Sequence, residues 1–539
     1  TTDGITNAGN FSTDGGTIKL DGNYPTGTEN TALGDTALDS VQAGGNYNVV
    51  LGSRAGTNIT TGDNNVGVGA YALCDIQTNS QNVAIGTETL KKNTASNNTA
   101  VGYISLRCNT SGCQNTAVGS EALKTNTTAN NNTAVGHCSL TLNTTGTRNT
   151  GTGKSSLQAN TTGSCNSGHG MYALYNNTEG GNNVAVGTCS LFTNTTADNN
   201  TAVGLCSLYA NTTGSENTAV GTYALDANTT GAKNTAVGKN AGSAITTGTF
   251  NDIFGRSAGF DLTTGDYNVA VGSGSLANLT TTNDNTAVGH NALNTVVTGT
   301  QNTAVGTCAL HNTTVNCGTA VGYQSLKGNT TGDKNTAVGR NSANNNTTGS
   351  DNTVVGFCSL GTNTTGACNT AFGNYSLYSN TTANDNSAFG YNTLGLNTTG
   401  TNNVAMGRNA LLNNTTAANN TAVGKDSLCA NTTSENAALG ANALKAQTTG
   451  IYNTAVGSNA MIKNTTGTRN VAIGTTAMGC NTTGSCNTAV GGMDAGTLPV
   501  MWLNTTGNQN TAIGNAALVK NTTASNNTAV GALALYANT

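Results

Sequence analysis

A five-residue string, N-T-A-V-G, returns through most of the chain, at Asn98, Asn115, Asn132, Asn200, Asn217 and many later positions. With its variants, such as N-V-A-I-G at Asn82 and N-V-A-M-G at Asn403, it starts 30 times between Asn30 and Asn527. Most intervals are 17 residues; the exceptions are one of 18, three of 16 and one of 23, from Asn487 to Asn510. The unit reads N-T-A-V-G-x-x-S/A-L-x-x-N-T-T-G-x-x, numbered 1 to 17 below. A fixed short period of this kind specifies a stacked repeat array.

The residue types choose among arrays. Glycine at position 5 and often at 15, with β-branched Thr and Val, disfavours a helical hairpin. Short strands joined by Gly/Asn corners fit better. The reading is all-β: a parallel β-solenoid, or β-roll, of about thirty 17-residue rungs over residues 30–539, preceded by a Gly/Thr-rich lead-in at 1–29. At about 4.8 Å per rung, thirty rungs make a rod of roughly 140 Å.

Within the unit, alternation puts positions 2 and 4 on one face and Ala at position 3 on the other. Positions 8 and 9 are read as a second strand, facing opposite ways. The larger apolar residues are expected inside, pairing Val118 with Leu123 and Val135 with Leu140. The Ala column would then lie outside as a flat stripe, covered by another layer or a neighbouring chain; a homo-oligomer follows. Three rungs replace the position-9 Leu by Gly56, Gly242 and Gly259, and there position 12 becomes Ile59, Ile245 and Leu262. A lost large side chain is matched by a gained one, so positions 9 and 12 share a core layer. Leu276 and Leu279 occur together in one rung, so the exchange is not strict.

Composition narrows the function. Charged residues are 8% of the 539, against roughly 25% in ordinary globular proteins. In-register stacking would turn a charged consensus position into a column of like charges. The formal charge of −4 gives no basic footprint for nucleic acid, and no apolar run is long enough to insert in a membrane. The opening TTDGITNAGN is neither an initiator Met nor a signal peptide and reads as a mature form or fragment. The chain stops inside a repeat at Asn538, so a tip, anchor or assembly domain is expected beyond it.

Chemistry-bearing residues are sparse. His137, His169, His290 and His311 sit in separate rungs without metal-ligand spacing. No nucleophile elbow, phosphate loop or carboxylate pair stands out, so neither enzymatic activity, nor a cofactor, nor a metal is expected. Asn126, Asn143, Asn160, Asn211 and Asn397 open N-T-T strings that match a glycosylation acceptor, but an Asn/Thr turn ladder is the preferred reading. Of the 14 cysteines, Cys108 with Cys113 and Cys480 with Cys486 straddle the same turn, and Cys189 and Cys206 occupy position 7 of consecutive rungs. These three pairs are candidate disulfides, and disulfides would belong outside a reducing cytosol. The long interval is expected to bulge near 497–503, and its Leu498, Met501 and Trp502 are a candidate lateral contact.

The N-T/V-A-V/I-G unit followed by a small residue and a turn resembles the head repeat of trimeric autotransporter adhesins. The longer form, with N-T-T-G after A-L or S-L, is similar to repeats in tail-fibre proteins of marine bacteriophages. The segment from Gly15 to Gly34 looks like the lead-in to such arrays. The resemblance implies a left-handed β-roll wound as a trimer, in a fibre on a virion or cell surface, with a glycan or protein receptor. It carries over no catalytic or receptor-binding residue. The leading reading is a structural fibre that spaces an attachment element. An adhesin or matrix filament binding through its flank comes second, and an ice- or carbohydrate-binding solenoid third.

Overall fold

The structure is a computed structural model that describes residues 18–20, 27–295, 298–492 and 498–538. Among these the chain forms thirty-one strands of three residues each, β1 (Ile18–Leu20) to β31 (Thr528–Val530) in chain order. The fold is a parallel β-solenoid with one strand per rung and no helix among the described residues. It divides into two units, Thr1–Tyr267 and Asn268–Thr539.

In each unit consecutive strands pair in parallel and in register. Thr201, Ala202 and Val203 lie against Thr218, Ala219 and Val220 in the first unit, and Thr286, Ala287 and Val288 against Thr303, Ala304 and Val305 in the second. Equivalent residues therefore form columns at the inter-strand spacing. β1 is the exception: it runs antiparallel to β2 (Thr31–Leu33), with Ile18 opposite Leu33. The lead-in thus pairs an edge that would otherwise offer free N–H and C=O groups to another sheet.

The strand faces oppose the expectation. Ala at position 3 is buried, while the flanking residues are half-buried or exposed: Ala117 is fully buried and Val118 is 36% exposed. The same holds for Ala134 and Val135. The expected inward pairs are therefore half right, since Leu123 and Leu140 are buried and their valines are not. A three-residue strand presents only one side chain to its own core. That side chain is usually small because the position-9 Leu fills the space opposite, although Val354 and Leu360 are buried together in one rung. A Cβ on Gly67, at position 3, would stand 3.3 Å from Cδ1 of Leu73, at position 9.

Positions 6 to 11 form a continuous turn rather than a second strand. Glu121 and Leu123 both have positive φ, 61° and 48°, in the left-handed region, which is unfavourable for Leu by about 1–2 kcal/mol. Two such residues around one ordinary residue reverse the chain so that positions 8 and 9 both point inward, as Ala122 and Leu123 do. Burying the Leu stabilises by about 1.5–3 kcal/mol, which offsets the cost at Leu123 itself. Gly119 at position 5 has φ 137°, and a Cβ on it would overlap the Gly136 carbonyl of the next rung. Glycine is required where successive turns touch backbone to backbone.

The size exchange inferred from sequence is present and extends to a third position. Ile59 is fully buried, and its Cδ1 lies 2.9 Å from where a Gly56 Cβ would be. Ile245 does the same over Gly242, also at 2.9 Å. Position 3 joins in: Val50 replaces Ala in the Gly56 rung and Ile253 in the Gly259 rung, each close to its glycine at 3.2 and 3.1 Å.

Candidate functional site

Two asparagine columns line the interior. At position 1, the backbone N–H of Asn132 donates to Oδ1 of Asn115 at 3.0 Å, and its Nδ2 donates to the Gly146 carbonyl at 2.9 Å. At position 12, Nδ2 of Asn143 donates to Oδ1 of Asn126 at 2.9 Å and to the same Gly146 carbonyl at 3.0 Å. This second ladder climbs from Asn93 to Asn228. It stops where Ile245 stands in the next rung, leaving Oδ1 of Asn228 without a partner. Asn126, Asn143, Asn160, Asn211 and Asn397 are all fully buried. Their amide nitrogens are taken twice over, so the folded array has no room for a glycan on them. The position-13 threonines add an outer row, Thr127 Oγ1 donating to the Thr144 carbonyl at 3.1 Å.

With those groups consumed internally, what remains for function lies on the outer surfaces; besides the corner of positions 14 to 17, where Phe250 stacks on Tyr267 at 5.0 Å, two stand out. One is the sheet face of positions 2 and 4, nearly uniform from rung to rung. It exposes Val184 and Val186 in one rung, and Phe372, Ile473 and Leu439 in others. The other is the flank of positions 6, 7 and 10, where residue types change from rung to rung. Salt bridges join positions 7 and 10 there, Glu88 to Lys91 at 2.8 Å and Glu88 to Arg107 of the next rung at 2.8 Å.

Aromatic residues collect on this flank. Tyr175, Phe192 and Tyr209, all at position 10, stack at centroid distances of 5.1 and 5.2 Å with planes 4° and 8° apart. Arg340 lies 5.7 Å from the ring centres of both Tyr323 and Phe357 in the position-6 column. The same in-register stacking that forbids columns of like charge permits columns of rings and alternating cation–ring pairs.

The sequence-predicted sites fare unevenly. All fourteen cysteines are free thiols, including Cys108, Cys113, Cys480 and Cys486. The structure does bring Cys189 and Cys206 together: their side chains interact, and burial raises the pKa of both thiols. The bulge expected near 497–503 does not extend past Pro499 among the described residues. Residues 493–497 lie outside the described residues, Leu498 is exposed, and the chain is back in the stack by Val500. Val500 and Met501 are fully buried at positions 8 and 9, and Met501 takes the same positive φ, 51°, as the usual Leu. Met501 is therefore core and not a lateral contact. Trp502 is half-buried at position 10, where a Cβ on Gly479 below it would overlap the indole ring. A large ring is seated over a glycine in the neighbouring rung, as Tyr378 is over Gly361. The rungs on either side keep register, Thr488 pairing with Thr511.

No protein-family model matches this chain, and no curated protein is similar to it in sequence. Among the described residues no three His, Cys, Asp or Glu side chains cluster in a way that could hold a metal ion, and no helix is long and apolar enough to cross a membrane.

Proposed function

We propose that the chain is a structural fibre segment outside a cell or on a virion, non-enzymatic, which spaces an attachment element from the surface that carries it. The supporting observation is the direction of its hydrogen bonds. Backbone amides, both Asn columns and the Thr row bond rung to rung, so each 17-residue insertion lengthens the stack by one layer without disturbing the others. Whole-rung deletion tests this. Removing ten rungs, residues 65–233, should shorten particles seen by electron microscopy by about 48 Å, at 4.8 Å per rung. An unchanged length would refute the reading.

A second part of the proposal concerns association. The expected Ala stripe is internal, so the reason given for a covering chain no longer holds. The position-2 and position-4 face supplies another. A three-residue strand is about 10 Å wide, so each rung offers about 50 Å² and a face of about sixteen rungs reaches the 800 Å² per partner of a standard interface. One unit supplies that many. A surface repeating at one rung spacing is matched best by a copy of itself, and the resemblance implies three copies. Where Ala437 interrupts the Thr column, an apolar recess of about 250 Å³ opens between Thr421, Val423, Leu439 and Val456. Sedimentation of the intact chain distinguishes this association from a monomeric filament that binds other surfaces through its flank.

A further inference from the structure

On the variable flank, an open hollow interrupts the stacked pattern. Along position 10, the aromatic column Tyr175–Phe192–Tyr209 gives way to Asp226 and then Ser243, before a ring returns at Phe260. The two short side chains leave a hollow of about 290 Å³ lined by Tyr223, Asp226, Asn240, Ser243 and Phe260. That volume is at the lower end of small-ligand pockets.

The carboxylate in this hollow is unusual for the molecule. Elsewhere on the flank, the position-7 acids Glu88, Glu121 and Asp426 are paired, with Lys91 and Arg107, Lys124, and Lys445. Asp226 makes no ion pair among the described residues, and its Oδ1 is closed to solvent with no hydrogen-bond partner. Burial raises its pKa, opposed only by a backbone hydrogen bond, with no cation contributing. A half-buried carboxylate without a counter-charge is costly, and a bound cation removes that cost. The wall residues narrow the choice of cation. Tyr223 and Phe260 present ring surface, and Asn240 and Ser243 present an amide and a hydroxyl. A metal ion would want several oxygen ligands and gains little from two rings. An ammonium group on a short carbon chain gains from all of them: cation–π attraction to the rings, an N–H donated to the carboxylate, and apolar contact for its carbons.

We infer that the Tyr223–Asp226–Phe260 hollow is a binding site for a primary alkylammonium group. Two sources share that chemistry, a free small amine and the ε-ammonium of a lysine on a partner protein. The assignment is independent of the fibre reading, since it concerns one rung pair and not the length or association of the array.

Saturation-transfer NMR on the full chain tests it, with ethylammonium as one probe and N-acetyl-lysine amide as the other. The expected result is saturation transfer to both, at millimolar affinity, weakened at least about tenfold by Asp226→Asn and by Phe260→Ala. The control Asp198→Asn, on a different part of the rung, should leave binding unchanged. Transfer to ethylammonium alone would assign the site to free amines; transfer confined to the lysine derivative would assign it to a partner's side chain. Absence of transfer to either, or transfer unaffected by Asp226→Asn, would overturn the proposal. Asp226→Asn keeps size and shape, so loss of binding with unchanged circular dichroism cannot be ascribed to unfolding.

Discussion

Nδ2 of Asn143 donates to Oδ1 of Asn126, 2.9 Å away in the preceding rung, with both side chains fully sealed from solvent. The donor and acceptor of each amide are thus used by different neighbours, and one substitution orphans groups on both sides. Asn143→Ala should cost about 2 kcal/mol locally, since Asn126 Oδ1 and Asn160 Nδ2 each lose a partner. Hydrogen exchange should show protection lost at the rungs of Asn126 and Asn160, and retained several rungs away. Uniform protection would contradict a ladder of this weight.

The Gly56–Ile59 arrangement can be transplanted. In the rung of Leu140 and Asn143, Asn143→Ile alone should overpack the core, and Leu140→Gly alone should leave a cavity. Together they should recover the packing part of the loss, though not the two ladder bonds of Asn143, with a coupling of about 1–3 kcal/mol in a double-mutant cycle. Additive effects would mean that positions 9 and 12 do not share space.

Strand facing is tested by a pair of charges. Leu123→Asp buries an unpaired carboxylate and should cost several kcal/mol, with local loss of exchange protection. Val118→Asp should leave the rung folded, because that side chain already meets water. The same change made in well-separated rungs, Val118→Asp with Val203→Asp, should shift sedimentation toward the monomer without building a column of like charge. If the single Val118 change unfolds its rung, the facing is wrong.

Trp502 is the sole tryptophan, so its seat over Gly479 can be read by fluorescence. Gly479→Val should displace the indole toward solvent and move its emission to the red, while Gly361→Val, distant in sequence, should not. An unshifted spectrum for the first variant would rule out the contact.

Asp226 should give the array a pH dependence opposite to that of a salt-bridged acid. Its pKa is raised by burial above the ordinary 3.8, so between the two values the folded chain holds more protons than the unfolded one. Stability from this group is therefore greatest at low pH and falls as pH rises through the folded value. Asp226→Asn should remove that fall and be no less stable than the parent near neutrality, as seen in urea midpoints taken from about pH 3 to 7. Glu88 runs the other way: the Lys91 hydrogen bond lowers its pKa, so its contribution is present above 4.5 and disappears as pH drops. A variant midpoint that falls more steeply with rising pH than the parent's would contradict the assignment for Asp226.

The repeat length, the stacked architecture, the glycine corners and the exchange between positions 9 and 12 were legible in the order of residues alone. They are properties of a period, and a period is visible in one dimension. Even the inward Ala had a signal: Val50 and Ile253 enlarge position 3 in two of the rungs that lose Leu at position 9. What the tertiary structure decided was which face of T-A-V turns inward. Three alternating residues satisfy either choice, and the larger Val is the better guess from hydrophobicity. The outcome depends on how little room remains once a left-handed turn has driven Leu inward and two asparagine columns have filled the corners. The same reason explains Met501 and Trp502. Their residue types suggested an exposed patch, but a neighbour's Gly479 and a vacant Leu position gave each a place in the stack, and such vacancies exist only between rungs.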